Sequence, residues 1–108
     1  MSADQHFLYR LQPLRAALLS GGPTEDERAI IGRHFGYLKN LCDQGVVDLA
    51  GRTMNPDESG FGIVILKAAD VVAARRIMED DPAVREGVMR ATLFPFRIAL
   101  TARTPPAT

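Results

Sequence analysis

The sequence has a single cysteine, Cys42, so no disulfide can form within the chain. It also lacks any apolar run that approaches the roughly 20 residues of a membrane-spanning helix. The opening residues, MSADQHFLYR, do not follow the pattern of a secretory signal. These absences predict a protein without a membrane partner, and a cytoplasmic location is the expectation.

Neither sign of charge is in excess, because 13 basic residues balance 13 acidic ones. Such a chain has no net field to attract nucleic acid or an anionic membrane, although a local basic patch remains compatible with it. Histidines are scarce: there are only His6 and His34, with no tight ligand spacing around either. A glycine-rich phosphate loop is also missing. We therefore expect no nucleic-acid partner, no metal and no cofactor.

The length of 108 residues, 46% of them hydrophobic, suits one packed domain and is too short for two. We expect this domain to span residues 5–101. Residues 102–108, which are polar and contain paired prolines, are expected to form a frayed tail.

The hydrophobic pattern predicts six main elements. HFLYRLQ alternates as a strand does, and Thr24 with Glu27 forms a capping box that starts a helix. This helix should end near Gln44, with Gly45 as its stop. VVDLAG and FGIVIL are predicted strands joined by a hairpin loop, AADVVAARRIMED is a second helix, and MRATLFPFRIAL is the last strand. Pro95 places that last strand at an edge or a bulge.

Two further segments are predicted to be connections. AALLSGGP is expected to be a connection between the first strand and the first helix, closed by Gly21, Gly22 and Pro23, and DPAVREG to form a turn or a short helix. The order β-α-β-β-α-β predicts an α+β, ferredoxin-like fold, in which an antiparallel four-stranded sheet carries both helices on one face.

The third strand, FGIVIL, is apolar on both sides, although the helices can cover only one face of the sheet. We therefore expect a homodimer that joins through the sheet faces. The alternative is a monomer in which the connection at residues 14–22 shields the second face.

His34 lies at the centre of the apolar stripe of the first helix, since residues three and four apart share a helical face. The stripe consists of Ile30, Ile31, Tyr37, Leu38 and Leu41. An imidazole in this place needs a partner or an opening to solvent, because unpaired buried polar atoms cost about 1–3 kcal/mol. The helical wheel alone favours a hydrogen-bonded core histidine over a functional one.

Asp81 also allows two interpretations. It ends the inward face of the second helix, which places its carboxylate beneath the helices. It equally fits the N-cap of a short turn, PAVRE, with Pro82 at the first helical position. The pattern alone leaves these two interpretations even.

Four segments, HFGYLKNLCDQGVVDLAG, FGIVIL, EDDPAVREGVM and LFPF, together resemble the YciI-like (YCII-related) family. The resemblance covers the chain from Phe7 to about Leu100. It implies a ferredoxin-like fold of the dimeric α+β barrel type and an active site that pairs a histidine with an aspartate. Carried over to this sequence, the catalytic pair is His34 and Asp81. The resemblance, and not the helical wheel, makes a functional His34 the favoured interpretation.

One departure lies after the second strand, where many relatives read AGP and this chain reads AGR. Arg52, with Gly51, is a candidate for binding an anionic substrate, and a solvated arginine is the alternative. No covalent nucleophile is indicated, because Cys42 resembles a small core residue.

The expected activity is cofactor-independent acid–base catalysis on a small, carbonyl-bearing molecule by isomerisation, elimination or hydrolysis. The alternatives are a non-catalytic binding module for a small molecule and a purely structural dimer. The geometric expectation is that His34 and Asp81 are hydrogen-bonded, directly or through one water. The pair should open onto a pocket lined by the first strand, the Gly51–Arg52 turn and the last strand.

Overall fold

The computed structural model of the protein describes residues 4–102, so the expected frayed tail lies outside the described residues except for Ala102. The elements in chain order are β1 (Gln5–Pro13), α1 (Ala17–Gly21), α2 (Glu25–Asp43), β2 (Val47–Arg52), β3 (Gly62–Ala68), α3 (Val71–Asp80), α4 (Pro82–Arg85) and β4 (Met89–Phe96).

The four strands form one antiparallel sheet in the order β2-β3-β1-β4. The helices cover one face of it, and the core lies between these layers. The inward side chains of the two central strands are buried; they are Phe7, Tyr9 and Leu11 from β1 and Val64, Leu66 and Ala68 from β3. The predicted ferredoxin-like α+β fold is confirmed.

The start of α2 follows from its capping box. The Thr24 hydroxyl accepts from the Glu27 backbone N–H, while the Glu27 carboxylate accepts from the Thr24 N–H. The same carboxylate binds the Arg15 guanidinium at 2.6 and 2.9 Å. Glu27 therefore ties the connection after β1 to the first turn of α2. The helix ends at Asp43, and Gly45 follows with a φ of +78°, as its predicted role as a stop requires.

The connection AALLSGGP contains a short helix that was not predicted. Residues Ala17–Gly21 form the five-residue helix α1, whose Leu18 is buried. No side chain caps its N-terminus, so its sequence carries no start signal. Burial of Leu18 stabilises α1, which is a tertiary effect. DPAVREG does contain a short helix, α4.

The last strand is an edge strand, since β4 pairs only with β1. Pro95 stands opposite Phe7 in that pairing, so the prediction that this proline marks an edge is confirmed. The other edge, β2, has a register shift between Val47 and Leu49.

The sheet face away from the helices is rich in apolar side chains. Leu49, Phe94 and Phe96 are 50%, 40% and 37% exposed. The half-buried Leu8, Ile63 and Ile65 lie between them on the central strands. We call these six side chains the open sheet face. The connection at residues 14–22 does not shield it, because Leu18 and Leu19 lie on the helix side, in the same groove as His34.

Within residues 4–102, no helix is both long and apolar enough to cross a membrane.

Candidate active site

His34 sits in the middle of α2 and faces the sheet, with its side chain 15% exposed. Its Nδ1 lies 2.7 Å from Oδ1 of Asp81, which is direct hydrogen-bond distance. The two residues predicted from the resemblance are thus brought together without an intervening water. The imidazole is neither buried without a partner nor freely solvated.

Asp81 occupies the junction between α3 and α4 and is fully buried. Its Oδ1 also accepts from the Ala83 backbone N–H at 3.0 Å, so Asp81 caps α4, with Pro82 at the first position. The sequence presented the cap and the histidine partner as alternatives. The structure has both, because one carboxylate oxygen can accept two hydrogen bonds.

The second oxygen of Asp81 is bound by a residue that was not among the predicted site residues. The hydroxyl of Tyr9, on β1, donates to Oδ2 at 2.8 Å. Tyr9 is itself fully buried. Burial, reinforced by the neighbouring Asp81 charge, raises the pKa of the Tyr9 phenol well above its usual range. The phenol therefore stays protonated and acts as a permanent donor.

These contacts define the tautomer of His34. Asp81 accepts at both oxygens, from Tyr9 and from the Ala83 N–H, which is the pattern of a carboxylate. The Nδ1 of His34 is therefore the protonated nitrogen, and it donates to Asp81. In the neutral ring Nε2 then carries a free lone pair. No described residue hydrogen-bonds to Nε2.

The His34 ring borders a groove of about 750 Å³ between α2 and the β2–β3 end of the sheet. This volume is typical of small-molecule sites. Neither Tyr9 nor Asp81 lines the groove, so the imidazole separates the buried carboxylate from the open space. The lining includes Leu11 and Pro13 of β1, as expected, and also Gly51 and Arg52, which the structure places at the end of β2 and not in a turn after it, whereas β4 contributes only Met89.

The floor of the groove is formed where β3 lacks a side chain. Gly62 stands opposite Arg52 in the sheet and faces the helix side, as Val64 does two residues later. A Cβ at Gly62 would lie 3.3 Å from the Gly51 carbonyl oxygen and 3.7 Å from Cβ of Leu11. A glycine inside a strand often marks a place where another group approaches the backbone closely. Here it keeps the groove open beside Arg52.

A comparison of the sequence with known protein families identifies the YCII-related domain over residues 7–97. The chain belongs to the YCII-related domain family. Its predicted fold class, a ferredoxin-like α+β fold of the dimeric α+β barrel type, is therefore confirmed. No curated protein matches the sequence significantly.

Two solved structures resemble this YCII-related domain. One is 5-chloro-2-hydroxyhydroquinone dehydrochlorinase (TftG) from Burkholderia phenoliruptrix AC1100 in complex with 2,5-dihydroxybenzoquinone. It has a TM-score of 0.63 and 18% identity over 85% of this chain and 93% of that one. The other is SnoaB, a cofactor-independent oxygenase from Streptomyces nogalater, with a TM-score of 0.49 and 14% identity over 95% and 100% of the two chains. At 18% identity the likeness to TftG shows the fold alone.

The charged side chains that line the groove of this YCII-related domain are basic, although one of them, Lys39, pairs with Asp43 at 3.1 Å. Arg52 and Lys39 line it together with His34, whereas no aspartate or glutamate does. Arg52 makes no ion pair with any residue in the part of the chain that is described. The remaining lining is mostly apolar, and Phe35 stands exposed at its edge. Cys42 also lines the groove, but it is exposed, so the expectation that it is a small core residue is wrong.

Proposed function

We propose that this protein is a small enzyme in which His34 and Asp81 move a proton on a small molecule bound in the groove. The observation that carries the proposal is the 2.7 Å contact between a fully buried carboxylate and an imidazole whose other side borders open space. A histidine titrates near neutral pH and can both take and return a proton. Asp81 holds the ring in one tautomer and stabilises the imidazolium that forms.

In the proposed reaction Nε2 of His34 takes a proton from the substrate, and the positive charge that develops on the ring faces Asp81. Return of the proton at a second atom is an isomerisation, and loss of a leaving group is an elimination. Transfer from a water molecule gives hydrolysis. The resemblance in fold to TftG, a dehydrochlorinase by its name, directs the first assays toward elimination. No cofactor is required for any of these steps.

We further propose that Arg52 binds an anionic part of the substrate, beside Gly51, which also lines the groove. The support is the positive lining of the groove and the absence of an ion pair that would occupy Arg52 within residues 4–102. A carbonyl compound that loses a proton becomes an enolate, and a nearby guanidinium stabilises that negative charge. The ligand expected here is a small, mostly apolar molecule with one carbonyl or anionic end.

The open sheet face supports the proposal that two copies form a homodimer through it. Its six apolar side chains form a contiguous patch across all four strands, of a kind that soluble monomers rarely expose. A second copy presents the same surface, so the contact closes with two-fold symmetry.

A purely structural role for this site is the weaker alternative, because the surroundings of His34 are an open groove and not a filled core. A binding module without catalysis remains the second candidate, and the size and apolar lining of the groove support it equally. The two candidates differ in whether a bound compound undergoes proton exchange that depends on His34.

The experiment uses a defined panel: 2,5-dihydroxybenzoquinone, chlorinated hydroxyquinols and small cyclic diketones. Compounds that raise the melting temperature are incubated in D₂O with the wild-type protein, and the loss of C–H signals and the release of chloride are measured. We expect both processes to depend on His34, so that His34→Gln abolishes the acceleration. Arg52→Gln should weaken binding by about tenfold, as expected for loss of one charge-assisted hydrogen bond.

His6→Gln is the matched control, because His6 is the other histidine of the chain and pairs with Asp48 at 3.1 Å outside the groove. It should behave as the wild type does. Compounds that bind but exchange equally fast with wild type and His34→Gln would contradict catalysis and favour the binding module.

A further inference from the structure

Asp81 is held from three directions, and only one of the three donors is a side chain that belongs to the sheet. His34 on α2 and the Ala83 N–H of α4 share Oδ1, while Tyr9 on β1 alone binds Oδ2. Without Tyr9, Oδ2 would be a fully buried oxygen with no hydrogen bond from a described residue. The terminal torsion of an aspartate is broad, so one oxygen bound at one side does not fix the carboxylate plane.

We propose that Tyr9 is a positioning residue that fixes the Asp81 carboxylate and, through it, the tautomer and orientation of the His34 ring. The inference rests on the function proposed above. Tyr9 touches neither the groove nor any reacting atom, so it acts only through Asp81.

The chemistry of the phenol suits this role. Asp81 must accept a hydrogen bond from His34 throughout a proton transfer. A tyrosine that lost its own proton would become a second anion, which would compete with Asp81 for the positive charge on the His34 ring. Tyr9 cannot do so at neutral pH, because burial and the Asp81 charge keep its hydroxyl protonated. Tyr9 also belongs to β1, one of the two central strands, which is paired on both sides.

Tyr37 provides the matched control, because it is the only other tyrosine of the chain. Its hydroxyl also bridges two elements, donating to the Ile77 carbonyl oxygen at 2.6 Å, but it does not bind Asp81. Tyr9→Phe therefore removes a fully buried hydroxyl and Tyr37→Phe a half-buried one, and each change removes one hydrogen bond. Only Tyr9→Phe releases Oδ2 of Asp81.

The test is long-range ¹H–¹⁵N NMR of the imidazole rings, at a pH where titration of the same signals shows both histidines to be neutral. In the wild type and in Tyr37→Phe, we expect His34 to show a protonated Nδ1 and an unprotonated Nε2. In Tyr9→Phe this single-tautomer signature should be lost, and both nitrogens should move toward the averaged positions of a mixture. A single Nδ1–H tautomer that persists in Tyr9→Phe would overturn the inference.

If Tyr9→Phe does not fold, 3-fluorotyrosine at position 9 replaces it, because it keeps the ring and the hydroxyl but makes the phenol a stronger donor. The His34 ¹⁵N signals should then move, and 3-fluorotyrosine at position 37 should leave them in place. Signals that do not move for position 9 would also overturn the inference. These readouts need no substrate, so a failed exchange assay with an intact tautomer effect would contradict the proposed function alone.

Discussion

Replacing His34 by leucine tests how strongly the imidazole and the buried carboxylate are coupled. The change removes one of the three donors to Asp81, whose side chain is fully buried. A buried acceptor that loses a partner costs about 1–3 kcal/mol. The leucine fits the apolar stripe of α2 and recovers part of this, since burying such a side chain stabilises by up to about 1.5–3 kcal/mol. We expect a net loss of about 1 kcal/mol in the free energy of unfolding.

Asp81→Leu should cost more, because it leaves the buried Tyr9 hydroxyl unpaired and removes the cap of α4. These losses are about 1–3 kcal/mol for the hydroxyl and about 0.5–2 kcal/mol for the cap. Relief from burying a charge offsets a part of the sum. In the Asp81→Leu protein the carboxylate is gone, so a further His34→Leu change should be neutral or stabilising. The double-mutant cycle should therefore give a coupling of about 1–2 kcal/mol.

Urea unfolding of the four proteins at one fixed protein concentration measures the cycle, since dimerisation would otherwise shift the apparent stability. Free energies that add within about 0.5 kcal/mol would refute the reasoning, because they would mean that the two side chains do not share an interaction. The single His34→Leu variant does not by itself separate a structural histidine from a catalytic one. Both roles now include the same hydrogen bond to a buried carboxylate.

Two further predictions concern the assembly and the acid stability. Light scattering of the wild type should give a mass near twice 11.8 kDa. Phe94→Glu on the open sheet face should yield monomers, whereas Phe35→Glu on the helix side should leave the dimer intact. A stable wild-type monomer at micromolar concentration would contradict the proposed dimer. The hydrogen bonds from Arg15 lower the pKa of Glu27 from 4.5 to about 2, so this pair stabilises the fold above pH 4.5 and the effect is lost as the pH falls toward 2. The melting temperature of wild type should accordingly exceed that of Arg15→Met at pH 7, with a difference that shrinks through this window; a difference that stays constant down to pH 2 would count against the assignment.

Local signals in the sequence predicted the elements that are stabilised locally. The Thr24–Glu27 box is complete within four residues, and the structure uses both of its hydrogen bonds. The alternation of β1 predicted which of its side chains point inward. Pro95 predicted the edge strand, because the lack of a backbone N–H is evident from the sequence without knowledge of the partner strand. The helix α1 carries no such signal, and its five residues depend on contacts made elsewhere in the fold.

The hydrogen bond of Tyr9 and the part that Gly62 plays in the predicted pocket were missed for a different reason. Alternation shows that Tyr9 points inward, but not that its hydroxyl meets a carboxylate 72 residues later in the chain. A signal did exist, since the hydroxyl of an inward tyrosine usually finds a hydrogen-bond partner. Asp81, predicted to end the inward face of the second helix, was a candidate for that partner. The groove depends on Gly62, which has no side chain to fill it. The space that a glycine leaves open is determined by residues that are close in the fold but distant in the sequence.

The position of Asp81 links the assembly of the fold to the assembly of the site. A carboxylate at the C-terminal end of α3 is disfavoured by the helix dipole, and burial adds to that cost. It is tolerated because β1, α2 and α4 each supply one hydrogen-bond donor to it. The Ala83 N–H lies two residues from Asp81 in the chain, whereas the Tyr9 hydroxyl and the His34 ring reach it only where β1 and α2 pack against the junction between α3 and α4. The His34 ring therefore acquires its partner only in the complete helix layer, and any local opening that detaches α4 or the end of α3 must also release the histidine.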